Sequence, residues 1–151
     1  MKSILNGTIL SKIETLPSYY LHVTRKEIFN NFMNYINRLK EITSNFIIWI
    51  DGSFSTNKTN PNDLDAVIFI DNDIYEQNIV ALKENFTAKT LLKTLSLDIY
   101  LVVKYKESHE NYIFYHSDKL YWLHQFGKTK VNRFGKQFDK GIIQIKMGKY
   151  E

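Results

Sequence analysis

Residues 48–70 read IWIDGSFSTNKTNPNDLDAVIFI. Two apolar runs enclose a polar loop, with Gly52 and Ser53 near one end and Asp63 and Asp65 at the other. Taken back to Phe46, the first run is FIIWI; the second, Leu64 to Ile70, is LDAVIFI, rich in branched and aromatic residues. Short apolar runs bounded by turn residues predict buried strands. Side chains two apart on a strand share a face, so Asp63 and Asp65 project together while Leu64 and Ala66 turn to a core. Two carboxylates held side by side repel each other unless a proton or a cation sits between them.

A third acid stands where it can join them. LDIYLVV, Leu97 to Val103, reads as another strand and carries Asp98 between apolar neighbours. A carboxylate entering a buried strand needs a partner. If this strand lies beside Leu64–Ile70, then Asp98 completes a cluster of three. Three carboxylates can hold two divalent ions, Mg2+ first and Mn2+ second, because these hard cations take oxygen from carboxylates and substrate phosphates. Gly52 lets backbone approach a ligand closely, Ser53 adds a hydroxyl, and a helix starting there would aim free amides at a triphosphate. Each part alone has a plain structural explanation. Asp63 can end a turn, Gly-Ser is a common dipeptide, and Asp98 can be a strand-end residue with a basic neighbour. The order and spacing of all the parts together carry the site reading.

Outward from this stretch, Thr24 and Glu27 form a capping-box pattern. Ile28, Phe32, Tyr35, Ile36, Leu39 and Ile42 then recur at helical spacing, predicting a helix from about Arg25 to Thr43. The stretch before it is weakly patterned and broken by Pro17. Ile74, Ile79, Leu82 and Phe86 allow a second helix, and Asp118 to Phe126 a third; Gly141 to Met147 (GIIQIKM) alternates like a strand. The expected fold class is α/β, or α+β: a mixed central sheet flanked by helices, in one domain spanning residues 1–151. With no cysteine in 151 residues, disulfides and thiolate metal sites are excluded and a cytoplasmic setting is the expectation. No apolar run is long enough for a membrane span or a secretory signal.

The net charge is +4, unevenly spread: residues 119–151 hold eight Lys or Arg against two acids. A basic tail beside an acidic middle suits a phosphate-bearing partner, or is simply a solvated surface. Arg133 and Lys140 lie in a loop marked by Gly127, Gly135 and Gly141, with Lys128, Lys130 and Lys136 around them. Such a loop can close over phosphates or grip a nucleic acid end. Lys58, in the loop between the first two strands, is a further phosphate candidate. Tyr121, Trp122, Phe126 and Phe134 are interleaved with the basic residues and allow base stacking, although the first three also read as helix core residues. His22, His109, His116 and His124 lack metal-ligand spacing, and there is neither a P-loop nor a GxSxG turn.

An apolar run, Gly-Ser, nine residues (Phe54 to Asn62), Asp-Leu-Asp-Ala and a later strand aspartate resemble the signature of the DNA polymerase beta-like nucleotidyltransferase superfamily. WIDGSFSTNKTNPNDLDAVIF and WLHQFGKTKVNRFGKQFDKGIIQI are together similar to small bacterial nucleotidyltransferase-like proteins, over about 45 of the 151 residues. The resemblance implies magnesium-dependent transfer of a nucleoside monophosphate from a nucleoside triphosphate, such as ATP, to an acceptor. Gly52 and Ser53 would hold the triphosphate. Asp63 and Asp65 would bind metal, and Asp98 would be the third ligand and assist deprotonation of the acceptor hydroxyl. The acceptor would be an RNA such as a tRNA end, a protein hydroxyl or a small molecule. The superfamily's helical second domain has no counterpart of useful size here, which leaves the acceptor open. The setting such small members imply is a toxin of a toxin–antitoxin pair or phage defence, with a cognate antitoxin as partner chain. The rival readings are a nucleotide- or RNA-binding module without turnover and a regulatory subunit of a partner.

Overall fold

The structure, a computed structural model, describes residues 23–55, 61–86, 91 and 95–150. Helix α1 (Val23–Ile42) buries Ile28, Phe29, Phe32, Tyr35, Ile36 and Leu39 along one face, the stripe that helical spacing dictates. It is described from Val23, so Thr24 lies inside it and the capping-box pattern does not mark its start. The strands β1 (Phe46–Asp51), β2 (Leu64–Asp71), β3 (Leu97–Lys104) and β4 (Ile143–Met147) form one sheet in the order β3-β2-β1-β4. β1 is antiparallel to β2 and β4, while β2 and β3 are parallel. This is the expected α+β architecture: a mixed sheet flanked by helices.

A parallel pair needs a crossover, which here contains α2 (Asn72–Gln77) and α3 (Ile79–Asn85). The single helix expected between Ile74 and Phe86 is thus two. The chain breaks at Asn78, whose backbone N–H donates to the Tyr75 carbonyl and whose side-chain amide donates to the Ile74 carbonyl at 2.9 Å. An asparagine that satisfies backbone groups locally competes with helix continuation. The third expected helix begins earlier than Asp118: α4 runs Tyr112–Gly127.

Alternation along the strands sorts the sheet into two cores. Phe46, Ile48 and Ile50 of β1, Leu64, Ala66, Ile68 and Ile70 of β2, Leu97 and Ile99 of β3 and Ile145 of β4 face α1 and the crossover, where Leu82 and Phe86 are buried. On the other side Trp49, Val67, Phe69 and Val102 pack with Phe126 of α4 and with Ile142; Tyr115, Trp122 and Leu123 are partly buried against them. Both faces of β2 are therefore dry from Ala66 to Ile70, which explains its unbroken apolar sequence. Among the described residues no helix is long and apolar enough to cross a membrane. The stretch holding Pro17, His22 and Lys58 lie outside the described residues.

Candidate active site

The second face of the sheet ends in acids. Register sets Asp51 of β1 opposite Asp65 of β2, and Asp65 opposite Asp98 of β3. Directly opposed residues in a sheet share a face, so one row of three carboxylates crosses three adjacent strands. Asp63, two residues before Asp65 and just outside β2, adds a fourth. Leu64 and Ala66 are fully buried on the α1 side, as the alternation requires. Asp63, Asp65 and Asp98 are each half-buried.

The charges feel one another. Burial first, then the carboxylates of Asp63, Asp98 and Asp51, push the Asp65 carboxyl from 3.8 up to about 6; Lys130 pulls the other way. An acid whose neighbours oppose its ionisation is a place where a cation is welcome. Tyr100, two residues beyond Asp98 on the same face, is held above its ordinary range by burial and then by the charge of Asp98 and the hydrogen bond to it. Its ring lies 4.7 Å from that of Trp122.

Gly52 makes this closeness possible. It takes φ +79°, and a Cβ built on it would stand 1.8 Å from Asp65 Oδ2. Only glycine accepts both the left-handed backbone and that contact. Among the described residues, the ones that follow, Ser53–Ser55, form a 3-10 turn in place of the α-helix start expected there. The turn is pinned by buried Phe54, by the Ser55 hydroxyl donating to the Gly52 carbonyl at 2.9 Å, and by Arg25, whose Nη1 donates to the Phe54 carbonyl at 2.6 Å. Ser53 therefore lies next to the acids along the backbone. On the far side, the Leu64 N–H donates to the Ser96 carbonyl at 3.0 Å, which ties the start of β2 to the turn leading into β3.

The basic loop is a two-armed excursion between α4 and β4. The Thr129 N–H donates to the Phe138 carbonyl and the Lys140 N–H to the Gly127 carbonyl, each at 2.8 Å. At the tip, the Asn132 carboxamide oxygen accepts from the N–H groups of Phe134 and Lys136. Lys140 returns to the sheet, where its Nζ donates to Asp51 Oδ2 at 2.6 Å. Asp51 is 5% exposed, so this lysine compensates a buried charge. Arg133 sits at the tip, its guanidinium carbon 4.7 Å from the centre of the Phe134 ring. Of the interleaved aromatics, Phe126 is core, Trp122 is half-buried, and Tyr121 and Phe134 are exposed.

The structure thus brings Asp63, Asp65, Asp98 and Gly52 together and leads Lys140 to them, while Arg133 lies out at the tip of the loop. Asp51 was missed by sequence reasoning because Asp-Gly reads as turn chemistry. The strand period from Trp49 was the available signal, since it sets residue 51 on the face of Asp65. The donors are all anionic oxygens, the type that Mg2+ and Mn2+ take. Among the described residues, no group of three or more such side chains already has metal-holding geometry.

Neither the curated proteins nor the solved structures include a match to this chain. A family profile does match, over residues 7–146. The chain therefore belongs to DUF6932, a family of unknown function.

Proposed function

We propose that this protein is a nucleotidyltransferase of the polymerase beta-like kind, moving a nucleoside monophosphate from a nucleoside triphosphate to an acceptor hydroxyl. The supporting observation is that Asp65 lies opposite Asp98 across the parallel pair, with Asp63 just before Asp65 and Gly52 packed against it; these are residues that the sequence resemblance singles out, and Asp51 adds a further acid to the row. Asp63, Asp65 and Asp98 would hold Mg2+ or Mn2+, and the bound cation would neutralise charge on the phosphates. Gly52 and the backbone after it would face the triphosphate, with no side chain in the way. Asp98 would take the proton of the acceptor hydroxyl. The acceptor oxygen bonds to the α-phosphorus, the bond from that phosphorus to the α–β bridging oxygen breaks, and pyrophosphate leaves. Lys130, near Asp65, would favour the anionic substrate in a site otherwise rich in acids.

Incubation with each nucleoside triphosphate, labelled in turn at the α- and γ-phosphate, with Mg2+ and cell extract tests this. Label from the α position is expected on a macromolecule or small acceptor, with loss of at least about 10²-fold in Asp65→Asn and in Asp98→Asn, the scale of removing one transition-state stabiliser. Transfer of γ label, or equal α transfer by the variants, would overturn the reading.

A further inference from the structure

The loop of residues 127–140 carries more than the acid row uses. Lys128, Lys130, Arg133, Lys136 and Lys140 stand against the single acid Asp139. Lys128 pairs with Asp139 and Lys140 with Asp51. Among the described residues, Lys130, Arg133 and Lys136 form no ion pair, and all three are exposed. Beside them Val131 is 61%, Phe134 70% and Phe138 56% exposed. Water meets these apolar side chains at a cost of roughly 25 cal/mol per Å², while the loop's hydrogen bonds hold them in place.

We propose that this loop binds a single-stranded polynucleotide and leads its end to the acid row. Cations separated by exposed aromatic rings form the surface that tracks a phosphate backbone and stacks unpaired bases. A protein partner of acidic character would use the charges but has no need of flat rings; bases supply both complements. The Arg133 guanidinium over Phe134 adds a second flat cationic surface. The loop's base is fixed to the site by Lys140 on Asp51, and Lys130 is close enough to act on Asp65. The same loop that carries the exposed cations and rings is thus joined at its base to the acid row. The binding stands on the loop alone; its role as acceptor rests on the transferase reading above.

Fluorescence anisotropy with labelled 12-nucleotide RNA, DNA of the same sequence, and the corresponding duplex tests the binding. Single strands are expected to bind more tightly than duplex. Arg133→Ala with Lys136→Ala should weaken binding about tenfold or more and lower the salt slope by about 1.4, since each phosphate contact contributes about 0.7 for single strands. Phe134→Ala with Phe138→Ala should weaken it about tenfold with the salt slope unchanged, the signature of lost stacking. An RNA preference would assign the ligand as RNA through its 2′-hydroxyls, and equal affinity would assign it to phosphate and base stacking alone; both support the loop as the binding surface. No binding by wild type, a preference for duplex, or full affinity in both loop variants would overturn it. Binding that is intact in a protein with no α-label transfer would overturn the transferase reading and leave the loop inference standing.

Discussion

Asp65 is half-buried and faces three other carboxylates, and its behaviour with pH follows from that. Its folded carboxyl lies at about 6 against 3.8 for the ordinary group. A raised carboxyl binds its proton more tightly in the folded chain than in the unfolded one. Folding is thus unpenalised below about 3.8, and stability falls as pH rises through about 6. Thermal melts of the metal-free protein should show Asp65→Asn gaining on wild type from pH 4 to 7 and then holding its lead; parallel curves would contradict the crowding of the acids. Gly52 gives a second test. Gly52→Ala should cost about 1–2 kcal/mol for the left-handed backbone plus a term for the clash with Asp65 Oδ2. In an Asp65→Ala background most of the clash term should disappear, leaving the backbone term and the 3.3 Å contact with the remaining Cβ of residue 65, which a double-mutant cycle in denaturant resolves. Asp63, Asp65 and Asp98 were legible in the sequence because a strand has period two and polar residues in an apolar run stand out. The partner of Lys140 was not legible, because nothing local marks a contact 89 residues away.

Elements repeat the lesson at larger size. The strands were readable almost to the residue: Phe46 to Ile50 was expected and Phe46–Asp51 observed, Leu64 to Ile70 expected and Leu64–Asp71 observed. Dense β-branched and aromatic runs leave little alternative. Helix α4 was half hidden, because Ile113, Phe114, Leu120 and Tyr121 point outward while Phe126 points inward. Apolar residues around the whole circumference erase the stripe that periodicity needs. The basic loop is an element held by its ends, and Lys140 is the end that matters. Lys140→Ala leaves buried Asp51 without its cation and should destabilise the fold by about 1.5–3 kcal/mol, the range for hydrogen bonds to charged groups. Pairing Lys140→Met with Asp51→Asn should restore most of the loss, since neither charge then remains to be compensated. Equilibrium unfolding of the single and double variants checks this, and a double variant no better than Lys140→Ala would point away from the ion pair.

At the scale of the whole molecule, stability and site share one sheet but occupy different parts of it. β2 is covered on both faces through Ala66–Ile70, with the site's Asp65 just before this covered stretch and Asp71, bound by Lys149 and Tyr150, just after it. Ile68, fully buried at the centre of β2, supports every register that aligns the acids of the site. Ile68→Ala should cost about 2–5 kcal/mol, read as a lower denaturation midpoint with an unchanged slope. The alignment of the carboxylates beside Gly52 is the fact on which the site and its chemistry depend. It is tested most directly by following the Asp65 carboxyl carbon through a pH titration by NMR, without and with Mg2+. The expected midpoint is about 6 in metal-free protein, moving well down once Mg2+ is present, because a bound cation favours the ionised form. A midpoint at the ordinary 3.8, or one that Mg2+ leaves where it was, would contradict a shared cation site at these acids.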